Sequence, residues 1–217
     1  MKLNYSPTIR CNLTTTLGWT IGAGLPMPQI FDAIDYYFEV KAAHSNANII
    51  FTGHSLGAGL VSLMAVYFNK SATVFDEAPF QVATLNPVVT DAVAAWMLAK
   101  GYSDSAFLDY TLSAGALALT RESVIDHYYL EAESLEYIRL LAPNFVGDSF
   151  FYDKGNSNAG STELHPMALL TAVETSDTFH NALKKLPNLV SLLADNTLFG
   201  DAANDAVYEN GVERSAA

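Results

Sequence analysis

The chain has 217 residues, half of them apolar and only 16% charged, a composition that excludes disorder and allows a sizeable core. Eleven Lys and Arg against twenty-three Asp and Glu leave a formal charge of −12. So few cations can neutralise few phosphates, which disfavours nucleic acid and anionic membrane surfaces as partners. The single cysteine, Cys11, forms no internal disulfide, marks no redox compartment and supports no Cys/His metal site. At this length one domain spanning 1–217 is expected, with 201–217 as a loose acidic tail.

Met1 to Pro7 is not followed by a continuous apolar block, so no signal peptide is expected there. The expectation is a soluble chain, cytoplasmic or exported by a route without such a peptide. Cys11 to Phe31 carries no charge, but Gly18, Gly22, Gly24, Pro26 and Pro28 interrupt it, which argues against a membrane span. Pro28 opens a predicted helix with Ile30, Phe31, Ile34, Tyr37, Phe38 and Val40 at helical spacing, ending near His44. Asn48 to Thr52 reads as a strand buried on both faces, Leu56 to Phe68 as a helix and Ala72 to Phe75 as a second strand. This alternation predicts an α/β fold with a parallel sheet flanked by helices.

Pro87 to Lys100 returns to helical spacing, with Gly101 as its stop. Tyr102 to Thr120 has no clear assignment; the stretch from Trp96 to Leu119 reads as helical packing, with an acyl-binding insertion as the alternative. Ser123 to Leu130 is a predicted third strand, followed by a helix through Leu141. Asp148 to Gly160 is turn-rich, and Met167 to Val173 is a short helix behind Pro166.

The segment Ile49 to Leu60 carries Gly53-His54-Ser55-Leu56-Gly57, a Gly-x-Ser-x-Gly pattern between a predicted strand and a predicted helix. Such a turn lifts the serine hydroxyl clear of the sheet. Gly53 and Gly57 are expected where a Cβ would strike a neighbouring element. The start of the following helix points N–H groups and a positive dipole end at any oxyanion that forms, with the Leu56 N–H as first donor.

Ile49 to Phe68 resembles the nucleophile region of α/β-hydrolases, and Gly53-His54-Ser55-Leu56-Gly57 is similar to the form found in class 3, fungal-type lipases. Val74-Phe75-Asp76-Glu77-Ala78-Pro79 resembles the strand and turn that follow the nucleophile helix in that family. His165, before Pro166, resembles the family's late histidine. The resemblance implies a triad in the order serine, acid, histidine and hydrolysis of carboxylic esters, often of lipids, with no metal or organic cofactor. A small-molecule or lipid ester is then the partner, and the oligomeric state is left open.

A serine needs a base, and five histidines are available. His54 adjoins Ser55 and points away from it, His44 ends a helix, His127 sits within a strand, and His180 lies beyond the last predicted helix. His165 follows a long loop and is the chosen base. The orienting acid belongs after a strand downstream of the nucleophile. By family position Glu133 is the first choice; Glu131 and Asp76 are alternatives, and Asp126, Asp148 and Asp153 remain open.

Only 54 residues precede Ser55, so the fold is expected to be shortened at its N-terminus or completed by another subunit. Thr14 to Gly18 is the candidate for the second oxyanion donor. The expected activity is ester hydrolysis by Ser55, His165 and Glu133, with Leu56 at the oxyanion. The alternatives are a non-catalytic hydrolase-like binding or assembly module without a complete oxyanion hole, and a phospholipase, thioesterase, amidase or peptidase with the same triad.

Overall fold

The computed structural model describes residues 28–113, 116–139 and 147–193. Two compact units divide the chain. One is made of Met1–Tyr129 and Leu135–Phe151, the other of Leu130–Ser134 and Tyr152–Ala217.

In the first unit, α1 (Pro28–Ala43) begins at proline, whose fixed φ suits a first turn, and buries Ile30, Ile34 and Tyr37 along one face. β1 (Phe51–His54) leads through Ser55 into α2 (Leu56–Phe68), and β2 (Ala72–Phe75) follows. Eleven of the thirteen α2 residues are buried. A helix covered on all sides needs no polar stripe, which accounts for the charge-free sequence around it. Four helices then precede β3 (Ile125–Leu130): α3 (Gln81–Leu85), α4 (Pro87–Lys100), α5 (Ser105–Leu112) and α6 (Ala118–Glu122). Asn86 caps α4 by accepting from the Val88 N–H, and Gly101, at φ 71°, ends it in the left-handed conformation. Arg121 donates to the Val66 and Tyr67 carbonyls at 2.9 and 3.0 Å, and to the Ala106 carbonyl at 2.8 Å. The first two are C-terminal carbonyls of α2 that the helix itself leaves without donors.

After α7 (Glu136–Arg139) comes β4 (Ser149–Tyr152). The sheet runs in the order β1-β2-β3-β4. β1 and β2 pair in parallel from Phe51↔Ala72 to His54↔Phe75, and β2 and β3 from Ala72↔Ile125 to Phe75↔Tyr128. On the far side His127 N donates to Asp148 O and Glu131 N to Tyr152 O. Both partners advance by four residues, so this pair is parallel too. The expected α/β fold with a helix-flanked parallel sheet is present. The core around α2 is aromatic, with Tyr37 stacked on Phe68 at 4.4 Å and Tyr67 against Tyr110 at 5.0 Å.

Several elements differ from expectation. β1 begins at Phe51, not Asn48, and Ile50 is 60% exposed. Among the described residues β1 is the edge of the sheet, and none of its four residues is buried, so it is not covered on both faces; a cleft of about 890 Å³ lined by Tyr37, Ile50, Phe51, Gly57, Leu60 and Met64 runs along it. The unassigned stretch holds α5 and α6, where Phe107 and Tyr110 pack against Tyr67, while Trp96 on α4 stacks on Phe31. The turn-rich segment after Asp148 contains β4. The helix predicted through Leu141 is described only as the single turn of α7, and Leu141 itself lies outside the described residues.

The second unit packs α8 (Met167–Thr175), α9 (Asp177–Lys185) and α10 (Leu189–Leu193) through Leu164, Leu170, Val173, Leu183 and Val190. His180 lies inside α9, not beyond the last helix; Ser176 starts that helix by accepting from the Phe179 N–H. Residues 201–217 lie outside the described residues.

Candidate active site

β1 ends at His54 and the chain turns at Ser55 with φ 58° and ψ −129°. Few non-glycine residues adopt such a conformation, which costs on the order of 1–3 kcal/mol and persists only where its surroundings impose it. Those surroundings are hydrogen bonds on two sides. Ser55 N donates to Phe75 O at 3.0 Å, while Ser55 O accepts from Ala58 N at 3.0 Å, Gly59 N at 3.2 Å and Ala78 N at 3.1 Å. Ser55 itself is half-buried.

The two glycines of the pattern have different causes. A Cβ on Gly53 would lie 2.7 Å from Gly57 O and 2.8 Å from Ala58 N, backbone that cannot yield cheaply. On Gly57 a Cβ would meet nothing within 4 Å, contrary to the expectation that it too is sterically required. Gly57 faces the open cleft. Leu56 is the first residue of α2, so its N–H is one of the four that a helix start leaves without an intrahelical acceptor, at the positive end of the dipole.

Behind the turn lies a buried polar cluster that the sequence reading passed over. Glu77 is fully buried; its Oε1 accepts from Ser62 Oγ, and its Oε2 accepts from His127 Nδ1 at 2.8 Å and Tyr129 OH at 3.5 Å. Arg139 Nη1 donates to the Glu77 carbonyl at 3.0 Å, and its guanidinium lies 4.0 Å from the Tyr129 ring centre. Burial first, and then the nearby Glu77 charge, push the Tyr129 phenol far above its ordinary pKa. His127 is therefore occupied by Glu77. The neighbouring Asp76, also buried, approaches His54 Nε2 at 3.8 Å.

In the second unit the chain bends at Ala132, with φ 63°, and delivers a fully buried Glu133. His165, immediately before α8, places Nδ1 2.6 Å from Glu133 Oε2. A carboxylate only accepts, so Nδ1–H donates and Nε2 is the ring's proton acceptor. Of the acids weighed, Glu131 instead accepts from the Lys154 N–H at 3.3 Å, and Asp153 accepts from Gly155 N at 2.6 Å. His180 Nε2 bonds the Asp153 carbonyl at 2.8 Å, and His44 is exposed just after α1. Ser55 and Leu56 thus belong to the first unit, and the hydrogen-bonded pair His165 and Glu133 to the second. The Thr14 to Gly18 stretch expected to supply a second oxyanion donor lies outside the described residues.

A signal for the Glu77 cluster existed in the sequence: two adjacent acids, Asp76 and Glu77, follow an apolar strand. Asp76 is weighed there as an alternative triad acid, and Glu77 only as part of the turn after that strand.

Comparison with curated proteins finds no match. Residues 29–107 match the model of the lipase (class 3) family. That match begins in α1, ends in α5 and contains the whole of β1, Ser55, α2 and β2. Over residues 29–107 the chain is therefore similar to class 3 lipases.

Proposed function

We propose that the protein is a serine hydrolase of carboxylic esters, acting on lipid or acyl esters. The observation that carries this reading is Ser55, held at φ 58° between a parallel strand and the first turn of a buried helix. Ser55 Oγ attacks the ester carbonyl. His165 Nε2 accepts its proton, with Nδ1 held by Glu133, and the Leu56 N–H meets the oxyanion. As the tetrahedral intermediate collapses, the C–O bond to the alcohol breaks and His165 returns the proton to the departing oxygen. Water, deprotonated by the same imidazole, then releases the acid from Ser55 and restores the hydroxyl. No step calls for a metal or an organic cofactor. The 2.6 Å bond between His165 and Glu133 supports the assignment of base and acid, because it fixes which ring nitrogen can accept a proton.

Hydrolysis of short and medium-chain p-nitrophenyl esters tests the reading. Ser55→Ala is expected to lower kcat by roughly 10⁴-fold or more without loss of the fold. An unchanged rate sinks the assignment, and an inert wild-type chain favours a binding or assembly module built on the same turn.

A further inference from the structure

We propose that Glu77, through Ser62 and His127, is a positioning residue that fixes the backbone of the nucleophile turn; the catalytic part of this inference rests on the serine hydrolase reading. The strained Ser55 is gripped from outside its own helix by two bonds, Ser55 N to Phe75 O and Ala78 N to Ser55 O. Both partners belong to the segment Phe75-Asp76-Glu77-Ala78, so Ser55 is only as well placed as that segment. It is itself strained, with Asp76 at φ 42°, and its backbone is tied to β3 by Asp76 N donating to Tyr128 O at 2.9 Å.

Between Phe75 and Ala78, next to Asp76, lies Glu77. Its carboxylate joins two elements: Ser62 on α2, seven positions beyond the nucleophile, and His127 and Tyr129 on β3. Its carbonyl takes the Arg139 guanidinium. A buried carboxylate would be very costly without such partners. Nothing in hydrophobic packing calls for an acid here. The arrangement makes sense as a clamp that stiffens the segment opposite the turn, so that the hydroxyl and the helix-start N–H keep one mutual geometry. Displacements of about 1 Å in such a constellation cost about 10²-fold in rate.

Glu77→Gln keeps the shape but removes the charge that His127 and Ser62 address, and Ser62→Ala removes one bond of the set with little risk to folding. Two measurements separate this inference from the function it rests on. Amide hydrogen exchange at Ser55 and Ala78 reads the clamp without any chemistry, and labelling of Ser55 by a fluorophosphonate reads nucleophile placement. Both variants are expected to exchange faster at Ala78 and Ser55. Labelling and kcat should fall about tenfold or more in Glu77→Gln and less in Ser62→Ala, with KM for p-nitrophenyl esters unchanged. Arg121→Met, which destabilises the far end of α2, should lower Tm while leaving the labelling rate unchanged. Should Glu77→Gln and Ser62→Ala lower Tm but keep wild-type exchange at Ala78 and wild-type labelling, the positioning role is overturned. If wild type is never labelled but exchange at Ala78 rises in the variants, the hydrolase reading and its catalytic corollary fail while the backbone clamp stands.

Discussion

Ser55 sits in backbone space that repels a side chain, and its neighbours rather than its own preference keep it there. The cause is local enough to be written in five residues, so the turn was legible in the sequence together with the helix that follows. The pairing of Glu133 with His165 was not. Thirty-two positions separate the two, and which acid meets which histidine depends on the left-handed bend at Ala132, which no short pattern announces. The family resemblance ranked Glu133 first where residue chemistry alone left six acids open. A comparison of two variants tests this ranking. Glu133→Gln should lower kcat by ~10⁴-fold through loss of the imidazole's orientation. Asp76→Asn should retain most activity, since asparagine tolerates the left-handed backbone and Asp76 faces His54. The reverse result would move the acid role to Asp76.

At the scale of elements, α2 and β2 were legible because each is a charge-free, largely apolar run with a clear stop, whereas the apolar run Ile49 to Phe51 announced β1 but not its bounds, Phe51–His54. β4 was hidden for the opposite reason. It is four residues long, its Phe150 and Phe151 are exposed, and turn residues flank it. Tertiary pairing with β3, not local preference, makes it a strand. The junction of β1 and α2 yields a paired prediction. Gly53→Ala forces a Cβ into the backbone of Gly57 and Ala58 and should destabilise the first unit by about 1–3 kcal/mol or more, seen as a lower Tm. Gly57→Ala has open space and should be neutral or stabilising by up to about 1 kcal/mol. Equal losses from the two would contradict the geometry of the turn.

The packing of α1 against α4 adds a pH signature. Asp35 accepts from Trp96 Nε1 at 2.8 Å and Lys100 Nζ at 2.9 Å. Desolvation alone would raise its pKa, but the bonds from Lys100 and Trp96 outweigh it and hold the carboxyl below its ordinary value. A lowered folded-state pKa means stability that is present above the unfolded value of about 4 and lost as the pH falls through the lower folded value. Asp35→Asn should therefore cost up to about 1 kcal/mol at neutral pH, the range of an exposed pair, with the gap from wild type closing in acid. A gap that persisted below pH ~3 would show that the carboxylate charge is not its source.

For the whole molecule, the acidic, weakly charged composition acquires a structural reason in the first unit. Its charge-free stretch from Ala42 to Asn69 holds a strand at the edge of the sheet among the described residues, a strained turn and a buried helix, and of the buried charges in this unit Glu77, Arg121 and Arg139 each meet hydrogen-bonding partners. Among the described residues no helix is long and apolar enough to cross a membrane. What composition could not convey is the division into two compact units, with the serine on one and the histidine and its acid on the other. Intact-mass analysis of the full chain after exposure to a fluorophosphonate, on wild type, Ser55→Ala and His165→Ala, tests the role of Ser55 most directly. A stoichiometric adduct on wild type that maps to Ser55, disappears in Ser55→Ala and forms far more slowly in His165→Ala is the predicted result. An unmodified wild-type chain, or an adduct that persists in Ser55→Ala, would contradict it.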